Sequence, residues 1–265
     1  MRRHYRSAGS MSDVGARPGG GPAGARGYGR ALPPDYDTDA RRFDANVRAT
    51  EAFSRVGDLH PLVAEQLATM GPAGVLDLGG GTGRLAALLG DRNIWTVVVD
   101  SARHVGRAPA PRVRGEAGRL PFVDGSFDAV AALWMLYHLD RPGRALREAH
   151  RVLRPGGTFV ACTASRTNDP ELAGVLPNWG RRTSFDAEEA TEIVSQAFHV
   201  TRVISWNQPF VTLPDRDAAA LFLRGRGLSE REAYRRASRL DTPMSVTKRG
   251  VLVWGRRRSR PAGKG

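Results

Sequence analysis

One stretch constrains this chain more than any other: Val75-Leu76-Asp77-Leu78-Gly79-Gly80-Gly81-Thr82-Gly83-Arg84. Residues 75–78 read as a buried strand. The glycines after it let the backbone turn tightly and approach a ligand, and a helix begins near Gly83. A second strand closes on Asp100, 23 residues after Asp77. An acid at that strand tip is placed to accept both hydroxyls of a ribose. Dinucleotide and adenosyl sites share this much, and the spacing separates them. The glycines fall as G-x-G-x-G at 79, 81 and 83, whereas the dehydrogenase fingerprint is G-x-G-x-x-G.

Two subtractions sharpen the reading. A short-chain dehydrogenase needs Tyr-x-x-x-Lys, but Met244 and Arg260 stand four residues before the two lysines, Lys248 and Lys264. A P-loop needs Gly-Lys-Ser/Thr, and the one Gly-Lys here, Gly263-Lys264, is followed by Gly265. Around the loop, apolar runs at 75–78, 94–99, 127–133 and 158–162 alternate with helical patterns at 84–89 and 144–153, the latter ended by Pro155-Gly156-Gly157. That is the order of an open α/β sheet with helices on both faces. Residues 35–70 read as two helices parted near Gly57-Asp58. The C-terminal third reads as an amphipathic stretch at 186–197 and a strand at 199–206. Helices follow at 215–223 and 230–240, and then a last strand at 246–254, interrupted by Lys248-Arg249-Gly250. The long connection 207–243 has the length of a lid or substrate wall.

Composition decides between partner classes. The net charge is +13, but residues 1–34 carry six arginines against Asp13, and residues 256–265 carry five cations with no acid. Ten of the thirteen charges therefore sit in two tails, and the body at 35–255 keeps only +3. A nucleic-acid groove in the body is disfavoured. The first tail is rich in Gly, Pro and Arg without apolar periodicity and is expected to be disordered, as is the second. The longest apolar run, 129–137, falls well short of the ~20 residues of a membrane span. No secretory signal pattern is visible, and a single cysteine, Cys162, permits no internal disulfide. A cytoplasmic protein is expected.

From Val75 to about Ala164 the chain resembles the class I S-adenosylmethionine-dependent methyltransferases of the type 11 family. The loop from Asp77 to Gly83 is similar to that family's first motif. Gly115-Glu116-Ala117-Gly118-Arg119-Leu120-Pro121-Phe122, followed by Asp124-Gly125-Ser126-Phe127-Asp128, resembles its third-strand and adenine-side motifs. Leu136-Tyr137-His138-Leu139 resembles the end of its fourth strand, and Leu153-Arg154-Pro155-Gly156-Gly157 the turn before its fifth. The resemblance implies a Rossmann-like seven-stranded α/β fold with N-terminal helices and a helical insertion before the last strand. It implies S-adenosyl-L-methionine as cofactor. Backbone at Gly79 and Gly81, in the loop that closes at Gly83, would line its methionine and sugar, with Asp77 near the ammonium. Asp100 would hold the ribose, with Ser101 beside it. Glu116, in place of the commoner Asp, and Ala117 would meet the adenine, and Leu133 the methionine end. Acids at strand tips suit a ligand that carries a sulfonium and an ammonium.

The expected reaction is methyl transfer to an O, N or C nucleophile of a small molecule. An rRNA or tRNA methyltransferase using the Arg-rich tails is the alternative. His138 is the candidate general base, the only histidine at a strand end beside the expected methyl. Trp134, Tyr137, Trp179 and Trp206 are candidates for a substrate wall. His60 and His199 are expected to pack or lie at the surface, and Cys162 to be a buried hydrophobe. Asn168, Asp169 and Glu171 form the nearest thing to a metal cluster. No acid stands at the fourth strand tip to complete it, so no metal is expected.

Overall fold

The computed structural model describes residues 37, 39–55 and 58–258. Tail residues 1–34 and 259–265, and Gly57 at the expected helix break, lie outside the described residues. Two helices open the fold. The first, α1 (Ala40–Phe53), starts where the Asp39 side chain accepts the Arg42 N–H. The second, α2 (His60–Met70), has Pro61 in its first turn and ends on Gly71 in the left-handed conformation.

The sheet then builds from β1 (Gly74–Leu78), α3 (Arg84–Gly90), β2 (Trp95–Asp100), β3 (Arg112–Arg114), β4 (Phe127–Leu133), α4 (Pro142–Val152) and β5 (Leu153–Ala164). After α5 (Ala190–Ser195) come β6 (His199–Leu213), α6 (Arg216–Gly225), α7 (Glu230–Ala237) and β7 (Met244–Arg256). Strand order is β3-β2-β1-β4-β5-β7-β6, with β1 to β5 parallel and β7 antiparallel to both neighbours.

Side-chain alternation splits the core into two layers. Leu76, Leu78, Val130 and Phe159 face α4 and α5, where Leu146, Ala149 and Val194 meet them. Val75, Ala129, Ala131 and Val160 face α2 and α3, against Val63, Leu67, Leu85 and Leu89. Cys162 is buried in this second layer, as expected, and burial pushes its thiol up. A third cluster stands beyond the strand tips: Ala49 of α1, Leu223 and Ala219 of α6, Ala233 of α7, and Val211 and Val246 of the long β6–β7 ladder. Gly225 lets α6 approach α1 closely, since a Cβ there would stand 2.9 Å from the Asn46 Cα.

Four expectations are corrected. β7 is not interrupted at Lys248-Arg249-Gly250, because these residues pair with Gln208, Asn207 and Trp206 of β6. Residues 207–213 belong to that strand, so the helical insertion is α6 and α7 alone. Pro155-Gly156-Gly157 lies inside β5, at a bulge in its pairing with β4, and the helix before it has already ended at Val152. Arg256 and Arg257 do not begin a free tail. Arg256 closes β7, and the Arg257 guanidinium donates to the carbonyls of Arg151 and Leu153. No helix among the described residues is long and apolar enough to cross a membrane.

Candidate active site

A cavity of about 1400 Å³ opens at the carboxyl ends of the parallel strands, between them and the third cluster. This is where an open α/β sheet holds its ligands. Of the ten candidate residues, eight line it: Gly79, Gly81, Asp100, Ser101, Glu116, Ala117, Leu133 and His138. Asp77 and Gly83 do not. Gly83 caps α3 with a left-handed backbone, and a Cβ there would stand 2.6 Å from Pro109. Its requirement for glycine comes from that turn and that packing, not from the cavity.

Asp100 organises the glycine loop. Its Oδ2 accepts the Gly81 N–H at 2.9 Å and its Oδ1 accepts the Ala102 N–H at 2.9 Å. Each carboxylate oxygen keeps a second lone pair for a ligand hydroxyl. Asp77 is 2% exposed and sits behind Gly80, where a Cβ would come within 2.4 Å of the carboxyl group. Burial pushes its pKa up to about 6, against the opposing influence of His60 and of the Ala86 N–H. Its Oδ2 has no hydrogen-bond partner among the described residues. A buried carboxylate oxygen without a donor, one residue behind a glycine-lined wall, suits a cationic ligand group reached through water. The donor set therefore fits S-adenosylmethionine.

The roof comes from the N-terminal helices. Phe43 stacks on His104 with centroids 4.7 Å apart, over the side of the cavity that Gly81 lines. His60, expected at the surface or in packing, lines the cavity, its Nδ1 3.2 Å from Asp58 Oδ1. Arg84 Nε lies 2.6 Å from Asp58 Oδ2. Burial pushes the Asp58 carboxyl up, but His60 and Arg84 outweigh it and hold it below its ordinary value. A histidine one residue ahead of Pro61 carries no periodic signal that marks a cavity.

The opposite wall is aromatic. Trp134, Tyr137, Trp179 and Trp206 all line it, and Trp134 meets Trp206 edge-on at 6.2 Å. Trp134 takes a positive φ of 59° immediately after β4. His138 closes the short 3₁₀ turn Leu136–His138, its ring 4.4 Å from that of Tyr137. Asp169, expected at most in a weak metal cluster, is instead 1% exposed and bonded by Arg226 Nε at 2.9 Å and by Lys248 Nζ. Glu171 accepts from Thr247, and Asn168 from the Arg249 N–H. No group of His, Cys, Asp and Glu among the described residues could hold a metal ion. Lys248 has one sequence signal: it is one of two lysines among forty cations.

Fold and cavity together define a class I methyltransferase architecture. Residues 76–161 match the methyltransferase domain family. It is 39% identical over 109 residues to the demethylmenaquinone methyltransferase of Mycolicibacterium vanbaalenii, covering 40% of this chain and 48% of that one. The chain thus spans about half the length of that relative. A solved structure of the [4+2]-cyclase SpnF superposes with a TM-score of 0.55 at 20% identity, over 76% of this chain and 82% of that one. So does the 1,6-didemethyltoxoflavin-N1-methyltransferase of Burkholderia thailandensis with S-adenosylhomocysteine bound, at TM-score 0.51, 16% identity and 84% of each chain. These two likenesses concern the fold. One fold carrying both a cyclase and a methyltransferase leaves the reaction to be argued from the site.

Proposed function

We propose that the chain transfers a methyl group from S-adenosyl-L-methionine to an O, N or C nucleophile of a small molecule. The observation that carries this reading is the placement of Asp100. Its carboxylate is pinned by two backbone N–H groups in a cavity that Gly79, Gly81, Glu116 and the four aromatic residues also line. When bound, the cofactor supplies an electrophilic methyl on a sulfonium. Asp100 holds the ribose hydroxyls with Ser101 beside it, Glu116 and Ala117 meet the adenine, and Asp77 answers the ammonium through water. The Leu133 backbone faces the methionine end. The wall of Trp134, Tyr137, Trp179 and Trp206 holds the acceptor in line with the methyl, which is the main source of rate for such a displacement. The end of α6 and the turn after it, Phe222 to Leu228, cover the site together with α1.

His138 takes the acceptor proton when the acceptor is a hydroxyl. His138→Ala then lowers kcat by about 10²–10⁴ with cofactor affinity intact, and the pH–rate profile loses its acidic limb. A drop below about tenfold assigns His138 a structural role and leaves proximity to carry the reaction.

The function is tested by S-adenosylhomocysteine release over a metabolite panel and bulk RNA. Turnover with small molecules supports the reading. Turnover confined to RNA, with a steep salt dependence lost on removing 1–34 and 259–265, supports the nucleic-acid alternative. Cofactor binding without release from any acceptor overturns both.

A further inference from the structure

The two halves of the cavity wall carry opposite charge. Between residues 37 and 139 the wall presents five acids (Asp37, Glu51, Asp58, Asp100 and Glu116) against three arginines. Between 163 and 249 it presents two acids, Asp169 and Asp186, against six cations. The acidic half suits a cationic cofactor. The basic half requires its own account.

Part of that basic charge is spent locally. Arg166 is paired with Asp186, Glu188 and Glu189, and Arg182 with Glu189. The group around Asp169 is different. One carboxylate, 1% exposed and held at a positive φ of 57°, accepts from both Arg226 and Lys248. Arg226 also donates to Asn46 Oδ1 at 3.0 Å and lies 4.4 Å over the Phe222 ring, with Lys248 Nζ 5.4 Å from the same ring. Glu171 is the other nearby acid: it accepts from the Thr247 N–H and hydroxyl, and its charge also acts on Lys248. Among the described residues, the Arg249 side chain, next along β7, is bonded to neutral partners, Asn207 and Thr167. Arg226, Lys248 and Arg249 thus stand against Asp169 and Glu171, three cations to two carboxylates, and the excess positive charge is partly withdrawn from water. Such an excess is unfavourable until an anion arrives.

Position fits the same reading. Gly250 pairs with Ala164 at the tip of β5, so Lys248 overhangs the strand ends by two residues. Trp206 covers Gly250, where a Cβ would stand 2.4 Å from its ring, and meets Trp134 at the tip of β4. The cation pair therefore stands at the far side of the aromatic wall from the glycine loop.

We infer that the acceptor is an anion, a carboxylate on an aromatic body, and that Lys248 and Arg226 hold its charge while the tryptophans hold its ring. This rests on the methyltransferase reading and narrows its substrate class. A carboxylate gains a charge-assisted hydrogen bond from each cation, whereas an ammonium acceptor meets repulsion.

The test uses the full chain loaded with S-adenosylhomocysteine, titrated by calorimetry with benzoate, 2-naphthoate and their amides. At least one carboxylate should bind roughly tenfold or more tightly than its amide. Lys248→Met should bring the pair within about threefold of each other, and Lys248→Arg should keep the preference. A second measurement needs no variant. The tighter carboxylate, but not its amide, should slow acetylation of Lys248 by an amine-selective ester relative to Lys264, read by peptide mass. Absence of any carboxylate preference in the wild type overturns the inference. So does a preference that persists in folded Lys248→Met, or acetylation of Lys248 that the carboxylate leaves unchanged. Failure to bind S-adenosylhomocysteine in the first place sinks the methyltransferase reading itself, so the two failures are distinct.

Discussion

In the half of the cavity proposed to take the cofactor, the wall is built from loop backbone and strand-tip acids. Asp77 and Asp100 stand at the ends of adjacent parallel strands, and the loop between them is glycine because its turns and close approaches leave no room for a Cβ. In the acceptor half, the groups are side chains gathered from afar. Asp169 meets Arg226 and Lys248 from 57 and 79 residues away, and Arg42 reaches the Gly225 carbonyl across 183. The first half is a local device that any sequence of this fold must spell out in order. The second depends on how α1, α6 and the β6–β7 ladder pack. A binding site of the first kind can stay constant while the second is rebuilt for another acceptor.

The largest expected effect breaks the acceptor half. Asp169→Asn removes the buried carboxylate between two partly buried cations, Arg226 and Lys248, and should destabilise the protein by about 2–4 kcal/mol. Thermal melting checks this, together with hydrogen exchange in α6 and β7. A melting temperature within a degree of wild type contradicts the placement of that charge cluster.

Next comes the cofactor half, with the opposite sign. Asp77 has a folded pKa of about 6 against an ordinary value of 3.8, because it is buried. The folded state then binds protons more tightly than the unfolded one, so stability falls as pH rises from about 4 to 6 and the cost is complete above that. Asp77→Asn should therefore raise stability above pH 6, by up to about 3 kcal/mol, and the gain should vanish below about pH 4. Cofactor affinity should fall in the same variant. A gain at every pH, or none, removes burial of charge as the cause.

These contrasts explain what could be read from the chain. The glycine loop, Asp100 and the alternation of strands and helices were legible because each is a short-range pattern. The third strand, Arg112–Arg114, was not, since three residues with polar ends carry no periodicity. The Lys248-Arg249-Gly250 stretch looked like a break because its polarity contradicts a buried strand. It is a strand all the same, held by a ladder with β6 that runs beyond the core. The roles of His60 and Asp169 needed partners from other segments and were invisible until those segments were placed.

The smallest effect sharpens the cover. The Asp215 side chain accepts the Ala218 N–H at 2.8 Å and so caps α6. Asp215→Ala should cost about 1 kcal/mol, read by thermal melting, and leave S-adenosylhomocysteine affinity unchanged. Weaker cofactor binding in that variant would tie the two halves together more tightly than their separate construction implies.

The central claim is that the acid-tipped half of the cavity holds S-adenosylmethionine. Calorimetric titration of the cofactor into wild type and Asp100→Ala tests it most directly. The account predicts saturable binding to wild type and a loss of about 1.5–3 kcal/mol in the variant, the range for hydrogen bonds to a charged group. Unchanged affinity in a folded Asp100→Ala protein, or no binding to wild type, contradicts it.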